Sequence, residues 1–261
     1  MSAGDFTLGA ATASGLGLKI GGVNVYNAPS NRQEVFHVPG RIGDVVTEES
    51  PENWPNEIRE YKAGLYLRTA TNAQVARRMN QIRYTLMTGN GYSELRDTYE
   101  PEFYRRAFLV GDFVPVRKGA GNNFEFPLTF SCDPRRYIDG VDFAEILSAG
   151  TDGGRRSPQS PQGFWCYPNC FPILKFNAGT STDVTIAFRH YASDPGDPPY
   201  GTISFAATNQ TFTFDCETLE CSLPNVLTNV EGDLYLMSML TYVKRTGTSG
   251  QILLKPRWFV R

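Results

Sequence analysis

The chain has 261 residues, enough for one large β domain or for two smaller domains. Hydrophobic residues make up 41% of it, which excludes a disordered chain, and 25 glycines with 17 prolines supply the turns of a mainly β fold. The formal net charge of −2 excludes the general basic excess that would hold a nucleic-acid backbone.

The N-terminal segment MSAGDFTLGAATASGLGLKIGG does not predict a secretory signal. It lacks a basic start and carries Asp5 ahead of a weakly apolar run. No stretch of the sequence approaches the roughly 20 apolar residues that a bilayer-spanning helix needs. We therefore expect no membrane insertion, and folding in the compartment of synthesis.

Residues 40–60 are rich in Gly, Pro and Glu. They predict either an extended arm, with Trp54 as a candidate anchor, or an ordinary surface loop. A cluster of acidic residues lies here: Glu48, Glu49, Glu52, Glu57 and Glu60. Paired carboxylates are typical of glycosidases, but a solvated loop around Pro51 and Pro55 explains this cluster better.

One amphipathic helix is predicted near residues 72–88. Thr71 and Gln74 resemble a capping box, and Gly89 supplies a left-handed stop. The apolar stripe consists of Val75, Met79, Ile82 and Leu86. Arg77, Arg78 and Arg83 lie on the opposite side, where they predict a solvated face or a subunit contact rather than a nucleic-acid face.

Apolar and polar residues alternate strictly over positions 124–132, and this period of two predicts a strand with one buried face. The apolar positions are Phe124, Phe126, Leu128, Phe130 and Cys132. Pro127 cannot donate to a β ladder, so it favours an edge position. The strand ends at Asp133-Pro134, which makes it the predicted last strand of a first domain over residues 1–137.

The second half, residues 138–261, predicts a β-sandwich of about 120 residues. Glycines and prolines over 139–163 predict a long loop or linker. Strands are predicted near 184–188, 212–216 and 252–260. The run 234–243 has apolar residues at both odd and even positions, which predicts a central strand covered on both faces. The predicted fold class is therefore mainly β, with two β-sandwich-type domains and one helix.

The sequence predicts no catalytic, cofactor or metal site. The only histidines, His37 and His190, have no partners at catalytic spacing, and no phosphate-binding loop occurs. The five cysteines fit no zinc pattern, and buried thiols are favoured over disulfides: Cys132, Cys166, Cys170, Cys216 and Cys221. An alternative function is sugar binding on an aromatic platform formed by Trp165, Tyr167, Tyr191 and Tyr200.

Several segments, in order and spacing, resemble the distal tail proteins (Dit) of long non-contractile-tailed bacteriophages. They are Val38–Asp44, the helix near 72–88, Tyr99–Ala107, the strand leading into Cys132–Tyr137, Pro172–Lys175, Thr213–Glu217 and Lys255–Trp258. The Cys166/Cys170 segment and residues 139–163 have no place in this pattern.

The resemblance implies an N-terminal belt domain and a C-terminal galectin-like sandwich. Six belts would close into a ring at the tail tip of the virion, after synthesis in the cytoplasm of the bacterial host. The ring would join the tail tube protein to the tail-associated hub (Tal-like) protein and could carry receptor-binding or other baseplate proteins. DNA would pass a neutral or acidic lumen.

A ring needs two different matching surfaces on each copy. The candidate interface residues are Gly40, Arg41, Gly43, Asp44, Trp54, Arg77, Arg78 and Arg83. Besides a carbohydrate-binding module, another ring-forming tube or tail-tip protein is the alternative, and a cell-wall hydrolase is disfavoured.

Overall fold

The computed structural model describes most of the chain in two compact units, which divide between Asp139 and Gly140. The described residues are 4–23, 33–36, 45–48, 55–67, 69–87, 91–119, 121–147, 153–156, 158–164, 166–177, 183–190, 198–206, 209–224, 226, 228–246 and 251–260.

The first unit is an antiparallel sheet with one helix. Its strands are β1 (Phe6–Leu8), β2 (Ala11–Thr12), β3 (Leu18–Val23), β4 (Gln33–Phe36), β5 (Val45–Glu48), β6 (Glu57–Tyr66), β7 (Ser93–Asp97), β8 (Phe103–Val110), β9 (Val116–Arg117), β10 (Asn123–Cys132) and β11 (Arg136–Ile138), and its helix is α1 (Asn72–Met87). The main sheet runs in the order β2-β1-β7-β8-β10-β6-β3, with β9 on β10 and β11 on β8.

Alternation of apolar and polar residues builds the core of this unit. Strands β6 and β10 pair along their whole length, from Asn123 opposite Tyr66 to Cys132 opposite Glu57. The predicted inward positions from Phe126 to Cys132 are buried, as are Tyr61, Ala63 and Leu65 on β6. Burial of such side chains stabilises the unit by roughly 1.5–3 kcal/mol each.

Helix α1 begins and packs as the sequence predicts. The backbone N–H of Thr71 donates to Gln74 Oε1 at 2.8 Å, and the N–H of Gln74 donates to Thr71 Oγ1 at 3.4 Å. This reciprocal pair is a capping box. Ile82 and Leu86 are buried in the core of the sheet, and Met79 packs against it. The predicted stop at Gly89 lies outside the described residues.

The predicted edge position of Pro127 is wrong for the strand as a whole. Strand β10 lies inside the sheet, between β6 and β8. On the β8 side, however, the ladder covers only residues 129–132, and β9 covers only 124–125. Pro127 falls in the gap between these two ladders, so its missing N–H interrupts no described pairing on that side. Strand β10 is also followed by β11, so it is not the last strand of the unit.

Strands β4 and β5 form a two-stranded hairpin, with Gln33 opposite Glu48 and Phe36 opposite Val45. Among the described strands, neither pairs with any other. The hairpin overlaps the stretch for which the sequence predicts an arm or a loop. An isolated two-stranded sheet is marginally stable in water, so this one needs support from outside its own ladder.

The second unit is a β-sandwich. Its strands are β12 (Ala144–Leu147), β13 (Gly153–Arg156), β14 (Asn169–Cys170), β15 (Ile173–Phe176), β16 (Val184–His190), β17 (Gly201–Phe205), β18 (Phe212–Asp215), β19 (Glu220–Cys221), β20 (Thr228–Gly232), β21 (Leu236–Met237), β22 (Thr241–Thr246), β23 (Ile252–Lys255) and β24 (Phe259–Val260). One sheet has the order β12-β23-β15-β18-β19 and the other β13-β22-β16-β17-β20, while β14 pairs with β21.

Aromatic side chains join the two sheets of the sandwich. The ring of Phe205 on β17 lies 4.4 Å from that of Phe176 on β15 and 5.5 Å from that of Phe214 on β18, between centroids. Val184, Ile186, Phe188 and the other inward positions of the predicted strands are buried. The mainly β prediction, with one amphipathic helix among the described residues, is confirmed.

Two predictions about the second unit are wrong. Residues 139–163 are not one long loop, because they contribute β12, which pairs with β23, and β13, which pairs with β22. Strand β13 begins with two glycines, which propensity places in turns, but its backbone is paired. Residues 234–243 are not one strand, because a turn in which Met239 adopts φ of 59° separates β21 from β22.

Candidate assembly surfaces

The structure describes only part of the predicted interface and platform residues. Gly40, Arg41, Gly43, Asp44 and Trp54 lie outside the described residues, as do Trp165 and Tyr191. The candidates that the structure does describe are three arginines of the helix and two tyrosines: Arg77, Arg78, Arg83, Tyr167 and Tyr200.

The three arginines of α1, equivalent in sequence, have different roles in the structure. Arg78 donates to Gln81 Oε1 at 2.7 Å and to the Gly15 carbonyl at 3.2 Å. It therefore holds the turn that precedes the edge strand β3. Arg77 and Arg83 are exposed. Because α1 contains no Asp or Glu, these two cations have no acidic neighbour on their own helix.

An open groove lies next to the C-terminal end of α1. Two of its lining residues are large and partly exposed, Met87 at 43% and Tyr92 at 41%, and Tyr84 on the same helix is 72% exposed. The groove has a volume of about 360 Å³. Its lining is Leu8, Thr85, Leu86, Met87, Gly91, Tyr92, Ser93, Ala107, Phe108 and Leu109. Clustered exposed apolar side chains mark interaction sites more often than isolated ones do.

Contacts within the first unit fix the position of Tyr92, a lining residue of the groove. The ring of Tyr92 meets that of Phe108 edge-on at 5.2 Å between centroids. Its hydroxyl accepts a hydrogen bond from Asn56 Nδ2 at 2.9 Å, and the Arg106 guanidinium lies 5.5 Å from the ring centroid. The exposed ring therefore has a defined position, as a contact surface requires.

A buried ion network lies elsewhere in the same unit. Arg59 is fully buried, with Nη2 2.5 Å from Asp97 Oδ2 and Nη1 3.0 Å from Glu100 Oε2. Arg105 Nη1 lies 2.5 Å from the same Glu100 oxygen, and its Nε lies 3.4 Å from Glu57 Oε2. Arg136 Nη1 on β11 also lies 3.6 Å from Glu100 Oε1. Three acidic residues and three arginines thus connect β6, the end of β7, the turn after it, β8 and β11.

Tyr61 completes this network. Its hydroxyl accepts from Arg59 Nε at 2.9 Å and donates to Asp97 Oδ2 at 2.6 Å. Burial, opposed in part by the Arg59 charge, raises the pKa of Tyr61 above its usual range. Burial lowers the pKa of Arg59, but Tyr61, Asp97 and Glu100 together outweigh it and raise that pKa. Both groups keep their protons at neutral pH.

Sequence reasoning missed the ion network. The acidic cluster predicts a solvated loop that includes Glu57, but Glu57 is the first residue of β6 and is buried. Its period-two spacing with Arg59 and Tyr61 was a usable signal, since all three share one face of a strand that is apolar farther along. Asp97, the last residue of β7, and Glu100, in the turn that follows, carry no such signal.

Another buried arginine, Arg257, fixes one end of the second unit. Arg257 reaches Asp215 with Nη1 at 2.8 Å and Nη2 at 2.5 Å, and Nη2 lies 3.0 Å from Glu217 Oε2. Its Nε donates to the Phe171 carbonyl at 3.0 Å. These bonds hold the segment after β23 against the end of β18.

The two described platform tyrosines pack against their own unit. The Tyr167 ring stacks on Phe259, with centroids 5.3 Å apart. The Tyr200 ring stacks on Tyr235 at 4.8 Å, and its hydroxyl donates to the Tyr235 carbonyl at 2.7 Å. Burial raises the pKa of Tyr200 above its usual range. Each of these two rings therefore already has an aromatic partner within its own unit, which leaves less of its face for a sugar. The sugar platform stays a prediction.

All five cysteines are free thiols, and Cys132, Cys170 and Cys216 are buried. Within the described part of the chain, no group of three or more His, Cys, Asp or Glu side chains is arranged to hold a metal ion. The described helix is not long or apolar enough to cross a bilayer.

The thiols are expected to differ in reactivity. Burial raises the pKa of Cys132 to about 12, so at pH 8 it is almost entirely protonated and is also shielded from reagent. We expect iodoacetamide at pH 8 to modify the half-buried Cys166 and Cys221, and Cys132 only after denaturation. Peptide mass spectrometry checks this. Modification of Cys132 in the folded chain at the rate seen in urea would contradict the described burial.

Comparison with known proteins finds likeness in structure only. No family model matches the sequence, and no curated protein does. The crystal structure of the SPP1 Dit (gp 19.1) protein, called a paradigm of the hub adsorption apparatus in phages infecting Gram-positive bacteria, matches with a TM-score of 0.57 at 14% identity, covering 98% of this chain and 99% of that chain.

Chains of the phage P2 baseplate in its activated conformation are also similar. The form with Ca has a TM-score of 0.61 and the form with Sr 0.59, each at 10% identity and each covering 97% of this chain and 98% of the other. The resemblance to distal tail proteins is thereby confirmed as a likeness of fold that extends over both units.

Proposed function

We propose that the chain is a structural component of a phage tail tip, of the distal tail protein type. The observation that carries this proposal is the near end-to-end likeness to the SPP1 Dit protein and to chains of the phage P2 baseplate. A likeness confined to the sandwich would point to a common β architecture, which many functions share. A likeness that also spans the sheet, the helix and the hairpin is more specific.

In finer detail, the first unit is the belt of a six-membered ring and the second a galectin-like sandwich. The ring joins the tail tube protein to the tail-associated hub protein and can carry receptor-binding proteins, as a non-enzymatic part of the virion. The unpaired hairpin β4–β5 supports this proposal, because a two-stranded ribbon gains stability from a neighbouring copy.

Charge supports a lumen through which DNA passes. The formal net charge of −2 per chain gives an assembled ring a net negative charge, which disfavours adhesion of the DNA backbone. The lumen surface is expected to be neutral or acidic. A continuous belt of lysines and arginines along the lumen of an assembled ring would contradict this.

The proposal predicts a location and a particle. Antibodies against the chain are expected to label the distal tip of phage tails in electron micrographs, and deletion of its gene to give particles without functional tips. The purified full-length chain is expected to form six-fold rings in negative stain, with a mass near six times 29.0 kDa by light scattering. Absence of the chain from purified virions would overturn the tail-tip proposal, and a purely monomeric chain would overturn the ring.

A further inference from the structure

We propose that one end of the second unit is a docking surface for a different protein, one that presents aliphatic side chains flanked by Lys or Arg. We define this surface, the turn end, by two turns: residues 216–219, between β18 and β19, and residues 237–240, from the end of β21 to the start of β22. The inference rests on the proposed function, which leaves open where on the sandwich another protein makes contact.

The two turns leave the same end of the sandwich, because a single short segment contacts the start of each. Cys170 on β14 pairs with Leu236 on β21, just before the second turn. Two residues later, the Pro172 carbonyl accepts a hydrogen bond from the N–H of Cys216, the first residue of the first turn, at 3.1 Å. Residues 170–172 therefore hold the beginnings of both turns side by side.

Both turns place a large apolar residue in a backbone conformation that suits glycine. Among the described non-glycine residues, only Leu219 and Met239 have a positive φ, 59° in each case. The Leu240 N–H donates to the Met237 carbonyl at 3.1 Å, so Met239 occupies the third position of a type II-like β-turn, where Gly or Asn is usual. A larger side chain is unfavourable in this conformation, because its Cβ crowds the following carbonyl.

The strained turns expose leucine to solvent. Leu219 is 53% exposed and Leu240 55%. An exposed leucine adds little burial to its own unit, and at Leu219 the backbone strain is an added cost. Because the side chain does little for the unit that carries it, we infer that it serves a contact with another molecule.

The charges around the two turns indicate the chemistry of that molecule. Glu220 follows Leu219 directly and is exposed. Asp233 is also exposed; its N–H donates to the Tyr200 carbonyl, and the Tyr200 hydroxyl donates to the Tyr235 carbonyl beside the second turn. Within two residues of either turn, the described chain has no exposed Lys or Arg. A partner with basic residues matches this surface, whereas the same end of a second copy would bring carboxylates together.

A protein fits the turn end better than a carbohydrate does. Aliphatic side chains offer no hydrogen bonds to sugar hydroxyls and are best covered by other apolar side chains. The polar groups of the first turn are used within the chain, since Arg257 contacts Asp215 and lies 3.0 Å from Glu217 Oε2. The turn end therefore offers a partner two leucines and the carboxylates of Glu220 and Asp233.

The first measurement separates a contact role of Leu219 from a structural one. In the full-length chain, Leu219→Asn removes the apolar side chain and puts a residue that tolerates positive φ in its place. Hydrogen exchange of the β18 and β19 peptides is expected to stay unchanged or to become slower by up to about fivefold. Faster exchange would show that the leucine stabilises its own unit, and the proposal would be overturned.

Photo-cross-linking in virions then identifies the partner. The full-length chain carries p-benzoylphenylalanine at one position, introduced as Leu219→p-benzoylphenylalanine or Leu240→p-benzoylphenylalanine. The control is Gln210→p-benzoylphenylalanine, an exposed position between β17 and β18, at the other end of β18 from the first turn. Each chain complements a phage that lacks the gene, and purified virions are irradiated. Positions 219 and 240 are expected to cross-link to the same different virion protein, at a peptide with Lys or Arg next to aliphatic residues, and position 210 is not.

Charge reversal tests the chemistry of the contact. Glu220→Lys with Asp233→Lys, added to the chain that cross-links at position 219, is expected to lower the cross-link yield by about fivefold or more. The matched control reverses two exposed aspartates away from the turn end, Asp112→Lys with Asp183→Lys, and is expected to keep the yield within about twofold. An equal loss in both would overturn the assignment of a basic partner.

The outcomes separate this docking surface from the proposed function. If virions contain the chain, but positions 219 and 240 cross-link to nothing, to a second copy of the chain, or no more than position 210 does, the docking surface is overturned and the tail-tip proposal stands. If virions made with the unchanged chain do not contain it, both are overturned.

Discussion

Replacing Arg59 by methionine is expected to destabilise the first unit by about 3–5 kcal/mol. Methionine keeps most of the buried stem, so the loss comes from charge. Without the guanidinium, Asp97 keeps the Tyr61 hydroxyl and loses its nearest cation, and Glu100 loses one of its arginines. A buried carboxylate without its partner is far more costly than a missing surface ion pair.

Hydrogen exchange of the β6 and β8 peptides measures this loss separately from the second unit. The matched control is Arg77→Met, an identical replacement on the exposed side of α1, which should change the free energy of opening by no more than about 0.5 kcal/mol. Adding Asp97→Asn to Arg59→Met should recover part of the loss, because it removes the orphaned charge. Equal effects of Arg59→Met and Arg77→Met would show that the network carries no stability.

Replacing Gly201 by alanine is expected to destabilise the second unit by about 3 kcal/mol or more. Gly201 begins β17 and lies opposite Gly232 on β20. A Cβ on Gly201 would overlap the backbone carbonyl oxygen of Asp233, and a Cβ on Gly232, which has φ of 69°, would overlap that of Tyr200. Backbone atoms cannot turn aside as a flexible side chain can, so the two strands would have to separate.

Exchange of the β17 and β20 amides checks this prediction, with Thr202→Ala on the next residue of the strand as control. Thr202 is half-buried, so its replacement should cost about 1 kcal/mol at most. Uniform slow exchange in Gly201→Ala, as in the unchanged chain, would mean that the two backbones can move apart at little cost.

The local sequence pattern was sufficient to predict a helix or strand, and its buried face, wherever one face of the element packs against the core. The two-residue period from Phe124 to Cys132 and the stripe Val75, Met79, Ile82 and Leu86 specify which side faces the core, whatever the partner is. The capping box at Thr71 and Gln74 is local chemistry and needs no tertiary context. These features were predicted because their cause lies within a few residues of sequence.

Pairing partners were not predictable in the same way. Strand β13 starts with glycines, and a run of four residues gives no periodic signal, yet β22 supplies it with a ladder. Pro127 suggests an edge, but a gap between two ladders provides the same freedom inside a sheet. In each case a distant strand decided the outcome, because backbone hydrogen bonds do not depend on side-chain identity.

In the candidate interface, too, local pattern predicted only part of the arrangement. The sequence predicts that Arg77, Arg78 and Arg83 form one basic face, whereas in the structure Arg78 donates a hydrogen bond to the Gly15 carbonyl of its own chain. The groove could not be predicted from the sequence, because its lining residues Leu8, Leu86 and Leu109 belong to three different elements, β1, α1 and β8. Sequence by itself determined a β-rich chain, the helix and the buried positions of its strands, because hydrophobic burial acts through local periodicity. Only the tertiary structure decided which strands pair, which charges are buried and which arginines remain exposed, because these depend on groups that the fold brings together from different elements.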